Sequence, residues 1–404
     1  MRTAGIIAEY NPFHKGHEYH IRKSREFARI DAIIAVISAN FTQRGEPALL
    51  DKFSRAKMAL CCGADLVLEL PAVFSCGSAG IFADAAVDIL ASAGVAEYMA
   101  FGMESPEKKS EMEAMADLLS EEPPSFREPL KKFLRLGYSF VQSRSLALEE
   151  TFPGALDILK RPNNNLALSY IKRIRFKKYP METIAVARSG GGFHDTSPGG
   201  GFASAAAVRE LVFRGDLAGA RHLMPEKCAD ILEEALSLGH AAASGARLWT
   251  AVKQTLLRMT PGQISEAAEI GEGLENRMRR CVYEARDYDS FVGMCVSRRY
   301  TKGRIQRCCA HLILGLDRGA GRRFRQGGPQ YIRVLGANGA GREVLALMRK
   351  SAALPVISRS GGRLSRLGWE MMNFEHSSTE IWETLTDSPR AKAEARAVPV
   401  LKDF

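Results

Sequence analysis

The sequence predicts an α/β chain: a parallel sheet of βαβ units in the first half and a mainly helical, basic second half. Three observations carry the prediction. Short apolar runs alternate with helical patterns of 10 to 20 residues, the economical signature of parallel strands joined by crossover helices. The run Ala32 to Ser38, AIIAVIS, is apolar throughout, as a strand buried on both faces must be. Beyond about Ala203 the pattern changes, and past Pro225 helical periodicity dominates to about Leu316.

The first strand, Gly5 to Ala8, breaks at Glu9, turns through Asn11-Pro12-Phe13 and enters a helix that ends near Ile30. After the strand Ala32 to Ser38 and a polar loop, an amphipathic helix carrying Phe53, Ala56, Lys57 and Leu60 stops at the cap-type Gly63. Asp65 to Leu70 is the third strand, Ser78 to Ala93 a helix closed by Gly94, and Tyr98 to Phe101 the fourth strand. Helices broken at Pro123-Pro124 and Gly137 precede a basic helix that starts at Asn163-Asn164-Asn165, where Asn is a favoured N-cap, and runs to about Lys178. Thr183 to Ala187 is the fifth strand, followed by a glycine-rich loop from Arg188 to Gly201 and the helix FASAAAVRELVFRG. A boundary near 215 to 226 divides the chain into residues 1–220 and 221–404. Ile332 to Leu335 and Pro355 to Ser358 are late strand candidates, and little order is expected after Ala393.

At 404 residues the chain is long enough for two or three domains. Its longest apolar-leaning stretch, Leu70 to Ala83, is interrupted by Pro71, Ser75 and Gly77 and is too short for a bilayer, and the N-terminus lacks a signal pattern. The expectation is a cytoplasmic protein with no membrane role. The eight cysteines, Cys61, Cys62, Cys76, Cys228, Cys281, Cys295, Cys308 and Cys309, contain no C-x-x-C spacing, so they read as buried or incidental thiols rather than a zinc site. The net charge of +10 is concentrated: Arg298 to Arg325 holds nine Lys or Arg against Asp317 alone, and Lys172 to Lys178 holds five bases in seven residues. Such clusters are candidate phosphate-contacting surfaces or solvated helix faces.

The chemistry concentrates at His14-Lys15-Gly16-His17, delivered from a buried strand to a helix start. In an open parallel sheet the carboxyl ends of the strands hold the ligand, and the next helix's N-terminal NH groups and dipole favour phosphate. Two histidines three apart share one helix face, and the glycine between them admits a close backbone approach. Such a pair can donate hydrogen bonds to a nucleotide under attack at its α-phosphate, so His14, His17 and Lys15 are the expected catalytic group.

The strand, loop and helix with H-x-G-H resemble the nucleotidyltransferase superfamily, which includes cofactor adenylyltransferases and class I aminoacyl-tRNA synthetases. Further blocks follow in order: ANFTQRGEPALLDKFSRAKMAL, GADLVLELP, FGMES, RPNNNLALSYIK, FASAAAVRE and RRYTKGRIQR. Together, over roughly three quarters of the chain, they resemble the bacterial tRNA(Met) cytidine acetate ligase family. The resemblance implies a Rossmann-like nucleotidyltransferase domain that uses ATP to activate acetate as acetyl-adenylate. The acetyl group then passes to the exocyclic amine of the wobble cytidine of elongator tRNA(Met). It also implies an ATP site formed by Ile7, Ala8, Glu9, Tyr10, Asn11, Pro12, Phe13, His14, Lys15, Gly16, His17, Glu18, Tyr19 and His20, completed by Gly102, Asn163, Arg188 and Ser189.

Gln43, Arg44, Asp51, Lys52 and Lys57 belong to a matching block and are candidates for contact with acetate, ATP or cytidine; Asp51 also reads as a helix cap and Lys57 as an exposed helical lysine. Ser204 and Arg209 resemble the superfamily's second phosphate signature, with Arg209 a bidentate donor to the β- and γ-phosphates. The chain departs from the expected pattern at Ala206, where a Thr is expected, and at Ala167 and Ser169, where Gly and Glu are expected. Arg298, Arg299, Lys302, Arg304 and Arg307 are the expected tRNA backbone contacts, with Tyr300 offering a ring for stacking. Mg²⁺ is expected with ATP, no dedicated metal cage is visible, and no protein partner is implied. A small-molecule adenylyltransferase uses the same H-x-G-H but leaves the basic half unexplained; an RNA-binding protein without catalysis is a third reading.

Overall fold

The computed structural model describes residues 1–27, 29–138, 140–188, 202–242, 245–297, 299–359 and 361–402. Ser189, Arg298 and the glycine-rich loop after Arg188 lie outside the described residues. The first half alternates β1 (Thr3–Ala8), α1 (Lys15–Phe27), β2 (Ala32–Ser38), α2 (Lys52–Cys61), β3 (Leu66–Leu70), α3 (Ala72–Ser75), α4 (Ala79–Ser92) and β4 (Tyr98–Met103). Between β4 and β5 (Glu182–Ala187) lie α5 (Lys109–Glu121), α6 (Pro124–Arg135), α7 (Phe140–Thr151), α8 (Ala155–Leu159) and α9 (Pro162–Lys177). The strands pair in the order β5-β4-β1-β2-β3, all parallel. The chain therefore leaves β1 in one direction toward β3 and later in the other toward β5. The reversal between β1 and β4 opens a crevice at their carboxyl ends, where such sheets bind ligands.

Side-chain alternation explains the two layers. On β2, Ala32, Ile34 and Val36 face one core with α4, α5 and α9, while Ile33, Ala35 and Ile37 face the other with α1 and α2. A strand covered on both sides has no polar face to spare, hence the unbroken apolar run.

The second half begins with α10 (Ala205–Phe213), α11 (Leu217–His222) and α12 (Glu226–Ser237), which close over the face occupied by α1 and α2. A third core then gathers α13 (Gly245–Arg258), α14 (Pro261–Ser265), α15 (Leu274–Glu284), α16 (Tyr288–Cys295) and α17 (Lys302–Leu314). After α18 (Arg318–Gly327) the chain returns to the sheet through β6 (Ile332–Ala337), α19 (Gly339–Ser351), β7 (Val356–Ile357), α20 (Arg366–Glu383), α21 (Ala393–Arg396) and β8 (Val400–Leu401). β6 runs antiparallel to β3 and carries β7 and β8 beside it. Strands from beyond residue 220 thus complete the first-half sheet, because β3 would otherwise expose a row of unpaired backbone groups.

The expectation of a poorly ordered tail after Ala393 is overturned by one buried charge. Lys52, expected among the ligand-contacting residues, is fully buried and its Nζ meets Glu69, Glu375 at 2.8 Å and Glu394 at 2.9 Å. Arg333 on β6 pairs with Glu394 in the same cluster. Burial, reinforced by the charge of Glu375, pushes the Glu69 carboxyl up to about 8, so its negative charge is the least favoured in the cluster. Glu394, which burial alone would raise, is held down at about 2 by Lys52 and Arg333. Removing one member strands the others without solvent. Lys52→Met is expected to lower the unfolding free energy by about 3–5 kcal/mol, measured by urea denaturation at pH 7.

Candidate active site

The site is built at the carboxyl edge of β1, β4 and β5. Tyr10, two residues past the end of β1, takes the left-handed conformation (φ 49°), which turns the chain sharply before Asn11 and Pro12. The loop is braced from beneath by Arg55 of α2, which is fully buried and donates to the carbonyls of Glu9 (2.7 Å), Ala39 and Leu50. Asn11 Oδ1 accepts from Leu49 N at 2.7 Å, tying the loop to the segment after β2. Packed on this frame are the rings of Tyr10, Phe13 and His17, with the His14 and His17 centroids 3.7 Å apart.

The two imidazoles have defined tautomers. His14 Nδ1 accepts from Gly16 N at 3.0 Å, and His17 Nδ1 accepts from His14 N at 3.2 Å. Each neutral ring therefore carries its proton on Nε2, which meets no partner among the described residues and is free to donate. Burial, with the added charge of Arg188, lowers His14 to about 3 and His20 to about 4; burial and the neighbouring His14 lower His17 well below its ordinary value. The rings are neutral donors at physiological pH.

One expectation changes here. The first NH groups of α1 are already taken: Lys15 N donates to Leu223 O, Gly16 N to the His14 ring and His17 N to His14 O. The backbone NH groups of this turn are therefore engaged within the protein, and the donors left open here are the imidazole Nε2 atoms. Lys15, expected to be catalytic, donates its Nζ to the His222 carbonyl at 2.7 Å, at the end of α11 where the helix dipole is negative.

Arg188, whose charge reaches His14 and His17, comes together with Asn163 and Gly102. Arg188 Nη1 donates to Asn163 Oδ1 at 3.2 Å, and a Cβ on Gly102 would lie 3.0 Å from Arg188 Cγ, so this glycine makes room for the arginine stem. Two participants escaped the sequence reading: Glu104, which accepts from Asn163 Nδ2 at 2.6 Å, and Asn164, which accepts from Glu104 N at 3.1 Å. Both sit within quoted motifs, FGMES and RPNNN, and that adjacency was the available signal. Arg55 was a third omission, legible only as an arginine on the apolar face of α2.

The remaining candidates divide. Glu9, raised by burial against the opposing pull of the Gln43 NH, accepts from Gln43 N at 2.7 Å. Arg209 donates to Asn11 O at 2.6 Å and pairs with Glu46 at 3.3 Å, which sets it beside the β1 loop; Ser204 caps α10. Arg44 is exposed near Glu9, and its charge opposes the rise of that carboxyl. Ile7 and Ala8 end β1, Glu18 is exposed on α1, and Tyr19 stacks on Phe202 at 5.2 Å. Asp51 is the N-cap of α2, accepting from Phe53 N and Ser54 N, and Lys57 lies 3.8 Å from Glu234 on the surface. Among the described residues no group of three or more His, Cys, Asp or Glu side chains could hold a metal ion, and no helix is long and apolar enough to cross a membrane.

The expected tRNA block is largely engaged within the protein. Tyr300 is 6% exposed and its hydroxyl donates to Glu272 O, so its ring belongs to the third core and is not presented for stacking. Arg304 donates to Glu269 O, and Arg307 pairs with the Glu269 carboxylate at 2.9 Å. Arg299 and Lys302 are exposed.

The depressed histidines make stability pH-dependent. Above about 6.5 both folded and unfolded imidazoles are neutral; below it only the unfolded chain takes up protons, until folded His20 titrates near 4 and His14 near 3. Stability is therefore expected to fall between pH 7 and 5, by at most about 2 kcal/mol per histidine. The double variant His14→Gln, His20→Gln should lose less between those two pH values in urea denaturation.

Comparison with known proteins gives this geometry its family. Residues 1–397 match the family model described as HIGH Nucleotidyl Transferase. The chain is 35% identical over 361 residues to the tRNA(Met) cytidine acetate ligase of Thermoanaerobacter sp. (strain X514), covering 89% of each. It is 34% identical over 410 residues to that of Syntrophomonas wolfei, covering 98% of each. The crystal structure of Thermotoga maritima TmcAL bound with alpha-thio ATP is similar with a TM-score of 0.92 at 30% identity over 99% of both chains; the apo form gives 0.93 at 31% identity. A chain that matches full-length relatives this closely, with an H-x-G-H pair at the switch point of its sheet, belongs to the HIGH nucleotidyl transferase family and, within it, to the tRNA(Met) cytidine acetate ligases.

Proposed function

We propose that this protein activates acetate with ATP and transfers the acetyl group to N4 of the wobble cytidine of elongator tRNA(Met). The observation that carries the reading is the pairing of two neutral Nε2 donors, His14 and His17, with Arg188 across a crevice in a chain with these relatives. ATP lies in the crevice between β1 and β4, with Gly102, Asn163 and Arg188 beside the nucleotide and Ser189 completing the site. An acetate oxygen attacks the α-phosphorus, the bond to the pyrophosphate oxygen breaks, and acetyl-adenylate forms. The imidazoles donate to phosphate oxygens as charge builds on them, and Arg209 takes the pyrophosphate end. The cytidine amine then attacks the acetyl carbon, the bond to the AMP phosphate oxygen breaks so that AMP leaves, and the amine releases its proton to water. Mg²⁺ would come with ATP, needing few protein ligands, and would supply charge neutralisation for the triphosphate. Arg299 and Lys302, with Arg298, contact tRNA phosphates, and the protein works in the cytoplasm.

Purified protein with ATP, acetate and elongator tRNA(Met) is expected to yield N4-acetylcytidine at the wobble position, detected by nucleoside mass spectrometry, without acetyl-CoA. Its absence from competent tRNA with folded protein would sink the reading. Pyrophosphate exchange that ignores acetate and depends on a phosphorylated metabolite would instead favour the small-molecule adenylyltransferase. His17→Ala is expected to abolish acetate-dependent ATP–pyrophosphate exchange while leaving tRNA affinity within about twofold, because this ring faces the nucleotide.

A further inference from the structure

With Tyr300 buried and Arg304 and Arg307 paired internally, Arg299 and Lys302 are the described cations of that block left exposed, and a tRNA needs more of them than these two. The antiparallel pair α6 and α7 stands out. Its inner end is rooted in the core through Phe126, Ala147 and Leu148, all 1% exposed or less, whereas toward its tip Leu136, Phe140 and Val141 are 65%, 60% and 65% exposed and Tyr138 46%. A twelve-residue helix such as α6 reaches about 18 Å. Arg127, Lys131 and Arg135, four residues apart, form an exposed stripe along one side of α6, rising about 6 Å from each to the next. Lys131 has only Glu128, at 3.9 Å on the surface, and Arg127 and Arg135 have no carboxylate partner among the described residues.

The root of the arm is connected to the candidate site. Glu149 of α7 accepts from Gly154 N and Leu156 N, α8 accepts from Asn164 at Ile158 O, and Asn164 accepts from Glu104 N beside Asn163. These hydrogen bonds tie the root of the arm to the nucleotide edge of β4.

We infer that α6 and α7 form an RNA-contacting arm, with Arg127, Lys131 and Arg135 on successive backbone phosphates and Tyr138 and Phe140 stacking on unpaired bases. Cationic stripes beside exposed aromatic rings are the chemistry that recognises single-stranded RNA segments. A second copy of this chain fits less well, since a two-fold contact would set the same positive stripe against itself on a chain already at +10. The inference rests on the reading of a tRNA acceptor and adds a surface that the expected basic block does not include.

The test measures tRNA(Met) binding across a salt series for the full-length protein, the triple variant Arg127→Ala, Lys131→Ala, Arg135→Ala, and the double variant Tyr138→Ser, Phe140→Ser. The triple variant is expected to bind about tenfold more weakly, with the slope of log affinity against log salt reduced by about 2; the double variant should lose about tenfold with its slope unchanged. Acetate-dependent pyrophosphate exchange without tRNA should be unaltered in both, which verifies the fold. Wild-type affinity and slope in the triple variant would overturn the arm while leaving the proposed reaction standing. Unchanged tRNA affinity with a dimer lost in sedimentation, or with lost binding to anionic vesicles, would reassign the tip to a second copy or to a membrane surface. If the unmodified protein binds tRNA no better than single-stranded DNA of equal length and forms no acetylated product, the tRNA reading falls first and the arm with it.

Discussion

A single buried ammonium holds the molecule together. Lys52 stands at the start of α2 and gathers carboxylates from β3, α20 and α21, elements separated by more than three hundred residues. An ammonium taken out of water demands such company, and the Arg333 guanidinium offsets part of the added negative charge by pairing with Glu394. The last segment of the chain is thereby fixed against the sheet. The cluster also immobilises α2, and α2 carries Arg55, which braces the loop holding the histidines. The ion cluster and the candidate site are consecutive parts of one support.

The site favours anions through donors that need not be charged. Three imidazoles stay neutral because burial and the Arg188 charge make protonation costly, and the backbone fixes which nitrogen of His14 and His17 carries the proton. Positive charge comes instead from Arg188 and Arg209, whose guanidinium groups hold several donors in a plane. Arg209 is itself held by Glu46, and Glu46 also accepts from Gln306 of α17 at 3.0 Å. The loop after β2 lies against that helix closely enough that Gly45, at φ 77°, would place a Cβ 2.5 Å from Arg307 N. The nucleotide edge and the helical half therefore share a packed seam.

Much of this was legible in the sequence, for a physical reason. A strand covered on both faces must be apolar along its whole length, so Ala32 to Ser38 declared itself. The helix after β1 follows from its amphipathic spacing, and the H-x-G-H pair falls at its start by chain order alone. Gly102 and Arg188 were placed together because the carboxyl ends of parallel strands lie on one edge, and they do meet there; Asn163, which came from the resemblance alone, accepts from Arg188.

Tertiary structure decided what each charged side chain spends its charge on. Sequence supplies residue types and local periodicity, but an ion pair is settled by burial and by partners distant in the chain. Nothing local distinguishes the buried Lys52 from the surface Lys57 one and a half turns later, or marks Tyr300 as a core ring and Tyr138 as an exposed one. The same holds for β6, of which Ile332 to Leu335 read as a strand but whose antiparallel place beside β3 depends on an edge that only the assembled sheet presents. The local pattern determined the elements and the position of the phosphate-facing loop; long-range contact decided which cations remained for a ligand.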